Sequence, residues 1–152
     1  MISDIIERLA THFHLCSDQL QHRYNNRPPF NISDEYDVQD LFHALLRLFF
    51  TDVRKEEVAP SFAGAGSRID FLLPVERIGI EVKMTRPGLA QKELGKQLME
   101  DITLYRTHAT CETLVVFVHD PGKHVRNPTG IKTDLETLDN AGMAVRVVIN
   151  QG

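Results

Sequence analysis

Apolar residues at the start of the chain recur at helical spacing. They form one broad stripe over residues 1–24, and Ser3 is a suitable N-cap, so this segment is predicted to be an amphipathic helix. The following stretch, NNRPPFNISDEY, is rich in turn-forming residues and is predicted to be a connector. A second helix is predicted from about Asp37 to Thr51, with a buried face of Val38, Leu41, Phe42, Leu45, Leu46 and Phe49.

The pattern then changes to short extended segments. EVAPSF, SRIDFLL and RIGIEVKM are separated by turn residues and predict three strands in a meander. Helical spacing returns over residues 89–107, and a strand, TLVVFVH, a loop, a short helix near KTDLETLDNAG and a final strand, MAVRVVI, follow. This order predicts an α/β fold in which a mixed sheet carries helices on its faces, because the crossover helix can join parallel neighbours.

Composition limits the classes of protein that this chain can be. Its 152 residues, 42% of them hydrophobic and 25% charged, can bury one core. A net charge of −4 excludes a protein that coats nucleic acid through bulk positive potential, so any such contact must come from local patches. No long apolar run occurs, and the first residues are acidic where a signal peptide is basic, so we expect a cytoplasmic protein without a membrane segment.

Three side chains with metal-binding and acid-base chemistry lie in the two strands that the PVE turn joins. Side chains alternate along RIGIEVKM, so Glu81 and Lys83 share one face of that strand. Asp70 is the acid of the preceding strand and is flanked by Ile69 and Phe71. We expect the antiparallel hairpin to bring Asp70 beside Glu81, with Lys83 one pleat further along.

This grouping suits phosphodiester hydrolysis. Two carboxylates can hold Mg²⁺, which keeps several waters and completes its shell with a substrate phosphate. Asp70 and Glu81 are therefore predicted metal ligands, the backbone carbonyl of Val82 is a further one, and Mn²⁺ is expected to substitute for Mg²⁺. Lys83 is predicted to orient or help deprotonate the attacking water and to stabilise charge on the phosphate. The alternative is a salt bridge between Lys83 and the acids, which is costly to bury and has no evident structural need.

The three residues and their flanking elements resemble the PD-(D/E)xK nuclease superfamily over residues 37–118. In that resemblance Asp70 and Glu81 are the two metal ligands and Lys83 is the lysine, while Ile69 stands where the name-giving proline would be. The resemblance implies a restriction endonuclease-like core of order α-β-β-β-α-β. It also implies a division of the chain into an N-terminal helix and connector, residues 1–36, and a nuclease domain, residues 37–152.

The same resemblance implies accessory positions. Gln97 on the crossover helix lies where many members place a polar residue near the metal. Gln39 and His43, one turn apart on the second predicted helix, fall where members often place an acid or polar residue. Asp40 or Glu35 remains an alternative for that role.

Six cations are predicted to touch DNA phosphates, and the alternative for each is an ordinary solvated face. They are Arg68, Arg86, Lys92, Lys96, Lys123 and Arg126.

Together these features predict a Mg²⁺-dependent phosphodiester hydrolase. The resemblance implies that it is an endonuclease that hydrolyses DNA, in a bacterial defence, restriction or mobile-element setting. The N-terminal helix and its Pro-rich connector suit a dimerisation or docking element, so a homodimer is an expected partner, and the resemblance adds a partner sensor or ATPase. One alternative is an inactive nuclease-like fold that binds DNA or assembles with other proteins. A further alternative is an oligomerisation or docking unit without a nucleic-acid role, which only the acidic net charge supports.

Overall fold

The computed structural model describes residues 1–62, 65–89, 91–108, 110–138 and 142–152, with side chains for all of these except residues 56–68. Within these residues the strands are β1 (Arg54–Phe62), β2 (Ala65–Leu73), β3 (Ile78–Met84), β4 (Thr113–His119) and β5 (Ala144–Asn150). The α-helices are α1 (Ile2–Thr11), α2 (Phe13–Gln21), α3 (Glu35–Leu46), α4 (Gln91–Tyr105) and α5 (Pro128–Glu136). No helix in these ranges is both long and apolar enough to cross a membrane.

The described strands form one mixed sheet in the order β1-β2-β3-β4-β5. The first three strands form an antiparallel meander, whereas β3, β4 and β5 are parallel neighbours. Parallel pairing requires a crossover, and α4 and α5 supply the two that are needed. The predicted α/β architecture with a restriction endonuclease-like core is confirmed.

Two hydrophobic layers cover the two faces of the sheet. On one face, Phe13 of α2 and Phe42 of α3 pack against Phe117 of β4, with ring centroids 4.9–6.3 Å apart. On the other face, α4 and α5 bury their apolar sides against β4 and β5. The alternation along β3 assigns its side chains to these layers: Ile80 and Val82 face α3, and Gly79 lies beneath the ring of Tyr105 from α4.

The N-terminal segment departs from the single helix predicted over residues 1–24. It divides at His12, where ψ is 5° instead of about −42°. A break of this kind frees carbonyl groups at the end of the first helix. Asn150, at the end of β5, satisfies them by donating its amide to the carbonyls of Ala10 and Thr11, at 2.9 and 2.8 Å. The break therefore depends on a residue far away in the sequence.

The helices α1 and α2 belong to the same hydrophobic layer as α3. Ile6, Ala10 and Phe13 are fully buried there, and α1 packs on β4 and β5. The division of the chain at residue 36 stays a prediction, but the packing makes the N-terminal helices part of the core of the sheet.

We predict that Phe13→Ala lowers the free energy of unfolding by about 3–5 kcal/mol, because it removes a fully buried ring and leaves a cavity. Urea denaturation followed by circular dichroism measures this loss. Leu15→Ala, at an exposed site in the same helix, is the control and should change the free energy by less than about 0.5 kcal/mol. A similarly small loss for Phe13→Ala would contradict the shared core.

Candidate functional site

The sheet opens between β2 and β3 at the predicted acids. The two strands pair from Leu73↔Ile78 to Phe71↔Ile80, and the next pair in that register would be Asp70 and Glu81. Pairing ends there, although both strands continue, and the N–H of Val82 donates instead to Oδ2 of Asp70 at 2.9 Å. A carboxylate therefore replaces a main-chain acceptor at this opening between Asp70 of β2 and Glu81 of β3, which we call the fork.

The packing around β2 explains why it leaves its neighbour at this point. Ile69 packs into the layer under α4 and α5, whereas Phe71 packs into the layer under α3. Residues two apart in a regular strand share a face, so β2 must twist between them. Asp70 lies at that change of direction, and the resulting fork contains the candidate site.

Lys83 lies between two carboxylates. Its Nζ is 3.3 Å from Oε1 of Glu81 and 3.1 Å from Oδ2 of Asp101, which α4 contributes. Burial lowers the pKa of Lys83, but the charges of Glu81 and Asp101 outweigh it and raise the pKa above its ordinary value. Lys83 is therefore cationic at neutral pH and suits charge stabilisation better than proton abstraction.

The two predicted ligand carboxyls are difficult to ionise together. Burial, together with the charge of Glu35, raises the pKa of Asp70 to about 6, against the lowering effect of the hydrogen bond from the Val82 N–H. Burial, followed by the charges of Asp70 and Asp101, raises the pKa of Glu81 well above its ordinary value. Asp70 and Glu81 are also close enough to share a hydrogen bond. A cation between them would relieve both the burial and the repulsion.

The donor set at the fork fits a hard divalent cation. Asp70 and Glu81 offer carboxylate oxygens, and the carbonyl of Val82 is a third oxygen donor on the same stretch of β3. In the part of the chain that the structure describes, no three His, Cys, Asp or Glu side chains gather into a metal site. Mg²⁺ needs no such set, because it commonly retains several waters and binds through one or two carboxylates.

Tyr105, at the end of α4, reaches the fork and was not predicted as a site residue. Its hydroxyl is 2.7 Å from Oε2 of Glu81 and 2.8 Å from the carbonyl of Ile80, and it accepts the N–H of Asp70 at 3.1 Å. Gly79 leaves room for the ring, since a Cβ there would lie 2.8 Å from it. Gly79, a glycine in the interior of β3, is a sequence feature that could have indicated a side chain packed closely over this strand.

The helix α3 brings Glu35 to the site. Its Oε2 accepts the N–H of Met84 at 3.2 Å. Asp40, the other acid considered for this position, lies instead 3.5 Å from Lys55. Gln39 is buried, and the ring of His43 packs 5.2 Å from that of Phe71. The accessory roles of Gln39 and His43 stay predictions.

On α4 the acid at the site is Asp101, one helical turn beyond the predicted Gln97. Gln97 is half-buried on the same helix, and its accessory role stays a prediction. The sequence contained Asp101, but its position along an amphipathic helix was compatible with an ordinary surface acid. Its contact with Lys83 depends on how α4 is rotated against the sheet.

Five of the six predicted DNA-contacting cations have exposed side chains. The exposed ones are Arg86, Lys92, Lys96, Lys123 and Arg126, and the side chain of Arg68 lies outside the described residues. Within the described part of the chain, none of the five forms an ion pair with an acid. Their charges are therefore available to a polyanion.

The loop that carries Lys123 and Arg126 is held by two side chains. Asp120, fully buried at the end of β4, accepts hydrogen bonds at 2.5–2.9 Å from the Thr85 hydroxyl, the Gln151 amide and the N–H groups of residues 124 and 125. Gln91, at the start of α4, accepts the N–H groups of residues 126 and 127 at 3.0 Å. Because Thr85 directly follows β3, this network fixes the cationic loop beside the strand that carries Glu81 and Lys83.

Comparison with known proteins adds a family to this geometry. The family model described as REase_DpnII-MboI matches residues 4–152, which is nearly the whole chain. Searches of the curated proteins and of the solved structures give no match.

We predict that metal-free Asp70→Asn is more stable than the wild type at pH 7, by about 2 kcal/mol. Below about pH 4 the carboxyl is protonated in both the folded and the unfolded state. Between pH 4 and 6 the folded state alone keeps the proton, so the wild type loses stability relative to the variant as the pH rises through this window. Urea denaturation in EDTA at pH 4, 5, 6 and 7 measures the difference. A constant difference would show that Asp70 has an ordinary pKa.

Proposed function

Because the chain belongs to the DpnII-MboI restriction endonuclease family, we propose that it is a metal-dependent endonuclease that hydrolyses DNA at Asp70, Glu81 and Lys83. The observation that carries this proposal is the fork, in which the buried carboxyl of Glu81 and the half-buried carboxyl of Asp70 meet beside the half-buried Lys83. A purely structural salt bridge between Lys83 and Glu81 would not require Asp70. The charge of Asp70 instead raises the pKa of Glu81 and so makes Glu81 harder to ionise.

Asp70, Glu81 and the carbonyl of Val82 would hold Mg²⁺, with Mn²⁺ as a substitute. When bound, the metal supplies a Lewis acid for the phosphate oxygens and lowers the pKa of a coordinated water. Ionisation of Glu81 at neutral pH is then coupled to metal binding, because burial and the charges of Asp70 and Asp101 raise its pKa well above the ordinary value without the metal.

Lys83 contributes a fixed positive charge. The carboxylates of Glu81 and Asp101 hold its Nζ in place and keep it protonated. A preorganised ammonium stabilises charge that develops on the phosphate in the transition state and orients the attacking water. Of the two roles considered for Lys83, orienting the water is the one that its raised pKa supports.

The proposed substrate is DNA, in a restriction or defence setting, as the family implies. The net charge of −4 requires that DNA contacts come from local cations, and the loop held by Asp120 and Gln91 presents two of them, Lys123 and Arg126, in fixed positions. One site cuts one strand at a time, so we propose a homodimer as the arrangement that cuts both strands. A partner sensor or ATPase stays an expectation from the resemblance.

We predict that Lys83→Gln lowers the rate of plasmid cleavage in Mg²⁺ by at least about 100-fold, because it removes the charge but keeps a side chain of similar size. Gel electrophoresis of the nicked and linear products measures the rate. The control is Lys55→Gln, an exposed lysine of β1, which should cleave like the wild type. Binding of the variant to DNA is measured separately in Ca²⁺ and should remain.

Two outcomes would contradict the proposed function. Cleavage that persists in both Lys83→Gln and Asp70→Ala would exclude the proposed site. DNA binding without cleavage by the wild type in Mg²⁺ and in Mn²⁺ would instead favour an inactive nuclease-like module that binds DNA.

We further predict that the double variant Lys123→Ala, Arg126→Ala weakens DNA binding for all sequences and reduces the slope of log affinity against log salt by about 2. Fluorescence anisotropy of a labelled duplex between 50 and 300 mM salt measures both quantities. Arg8→Ala, Arg47→Ala removes two exposed cations from α1 and the end of α3 and is the charge-matched control. An equal loss in both double variants would mean that net charge, and not this loop, determines binding.

A further inference from the structure

The hydroxyl of Tyr105 is the polar group of α4 that touches both strands of the fork. The side chain is almost fully buried, and its ring packs over Gly79. The hydroxyl contacts Oε2 of Glu81, the carbonyl of Ile80 and the N–H of Asp70, all within 3.1 Å. A hydroxyl in an apolar layer costs free energy unless it is hydrogen-bonded, so these three contacts are what make tyrosine, and not phenylalanine, suitable at this position.

The chemistry of a hydroxyl limits how these contacts can be used. It has one proton to donate and lone pairs with which to accept. The N–H of Asp70 takes a lone pair, and the carboxylate of Glu81 and the carbonyl of Ile80 compete for the single proton. Because hydrogen bonds to an ionised acceptor are the stronger ones, an ionised Glu81 takes the proton. Tyr105 thus holds Oε2 of the Glu81 carboxylate in one position.

Each of the other contacts at the fork engages one particular oxygen of Glu81 or Asp70. Oε2 of Glu81 is engaged by Tyr105, and Oδ2 of Asp70 is engaged by the N–H of Val82. Oε1 of Glu81 faces the ammonium of Lys83. Hydrogen bonds to Oε2 of Glu81 and to Oδ2 of Asp70 thereby fix the orientation of both carboxylates, and Lys83 is the neighbour of the remaining oxygen of Glu81.

We propose that Tyr105 is a positioning residue for the metal site: its hydroxyl orients Glu81 through Oε2 and ties that carboxylate to the backbone of Asp70 on the facing strand. This inference rests on the proposed function and deepens it. It assigns to the crossover helix α4 a role in metal affinity, through a residue that is neither one of the proposed ligands nor the predicted Gln97. Tyr105 does not touch the substrate, so its effect should be seen in metal binding and not in the chemical step.

The test is Tyr105→Phe, which keeps the ring and removes the hydroxyl. We expect the affinity for Mn²⁺, measured without DNA by the electron paramagnetic resonance signal of the free ion, to fall about tenfold. The Mg²⁺ concentration that gives half-maximal plasmid cleavage should rise by a similar factor. At saturating Mg²⁺ the cleavage rate should stay within about threefold of the wild type, because the hydroxyl acts on the ligand and not on the phosphate.

Ile102→Val is the matched control for a loss of packing. Ile102 is buried in the same helix, one turn before Tyr105, and the substitution removes a methyl group without touching a polar atom of the fork. This variant should bind Mn²⁺ like the wild type even where its thermal unfolding midpoint falls as far as that of Tyr105→Phe. Tyr24→Phe removes an exposed hydroxyl and should match the wild type in Mn²⁺ affinity, in cleavage and in thermal unfolding midpoint.

The outcomes separate this inference from the function on which it rests. If the wild type binds Mn²⁺ and cleaves DNA, and Tyr105→Phe has the same metal affinity, the positioning role is overturned and the proposed function stands. A loss of metal affinity in Ile102→Val equal to that in Tyr105→Phe would also overturn it. A wild type that neither binds Mn²⁺ nor cleaves DNA overturns both proposals.

Discussion

The hydrogen bond from the N–H of Val82 to the carboxylate of Asp70 is the contact on which the rest of the site depends. It satisfies a main-chain donor that loses its strand partner where β2 and β3 separate, so the sheet can open without leaving that buried N–H unpaired. The opening makes room for a second carboxylate beside the first. Without such an acceptor, continued pairing of β2 with β3 would be favoured, because it would satisfy the N–H of Val82. Asp70 and Glu81 would then be forced against each other.

Burying several charges in this fork costs stability, and neighbouring elements offset part of the cost. Lys83 balances the charge of Glu81, Asp101 fixes the lysine from the other side, and Tyr105 supplies a proton donor. The balance is incomplete, since the pKa values of Asp70 and Glu81 stay raised. A protein selected for stability alone would place apolar residues here. The residual repulsion is what the proposed divalent cation would relieve.

The fork and the cationic loop of Lys123 and Arg126 lie at the same end of the sheet, where the carboxyl ends of the parallel strands meet. The parallel strands β3 and β4 end there, and Asp120 connects the residue after β3 with the loop after β4. Phosphate contacts at Lys123 and Arg126 would therefore be made by a loop whose position is tied to the strand of Glu81 and Lys83. A mixed sheet with its crossover helices achieves this because parallel neighbours bring their carboxyl ends to the same edge.

The sequence by itself determined the order of helices and strands from the second predicted helix onward, the mixed sheet and the grouping of Asp70, Glu81 and Lys83, because side-chain period and turn residues act over short distances. Only the tertiary structure decided which residues complete the site. Asp101 and Tyr105 contact it through the rotation of α4 against the sheet, and Glu35, not Asp40, reaches it through the packing of α3. The helix break at His12 likewise depends on Asn150. Periodicity reports which face of an element is buried, but the partner of a polar group is set by which element packs opposite it.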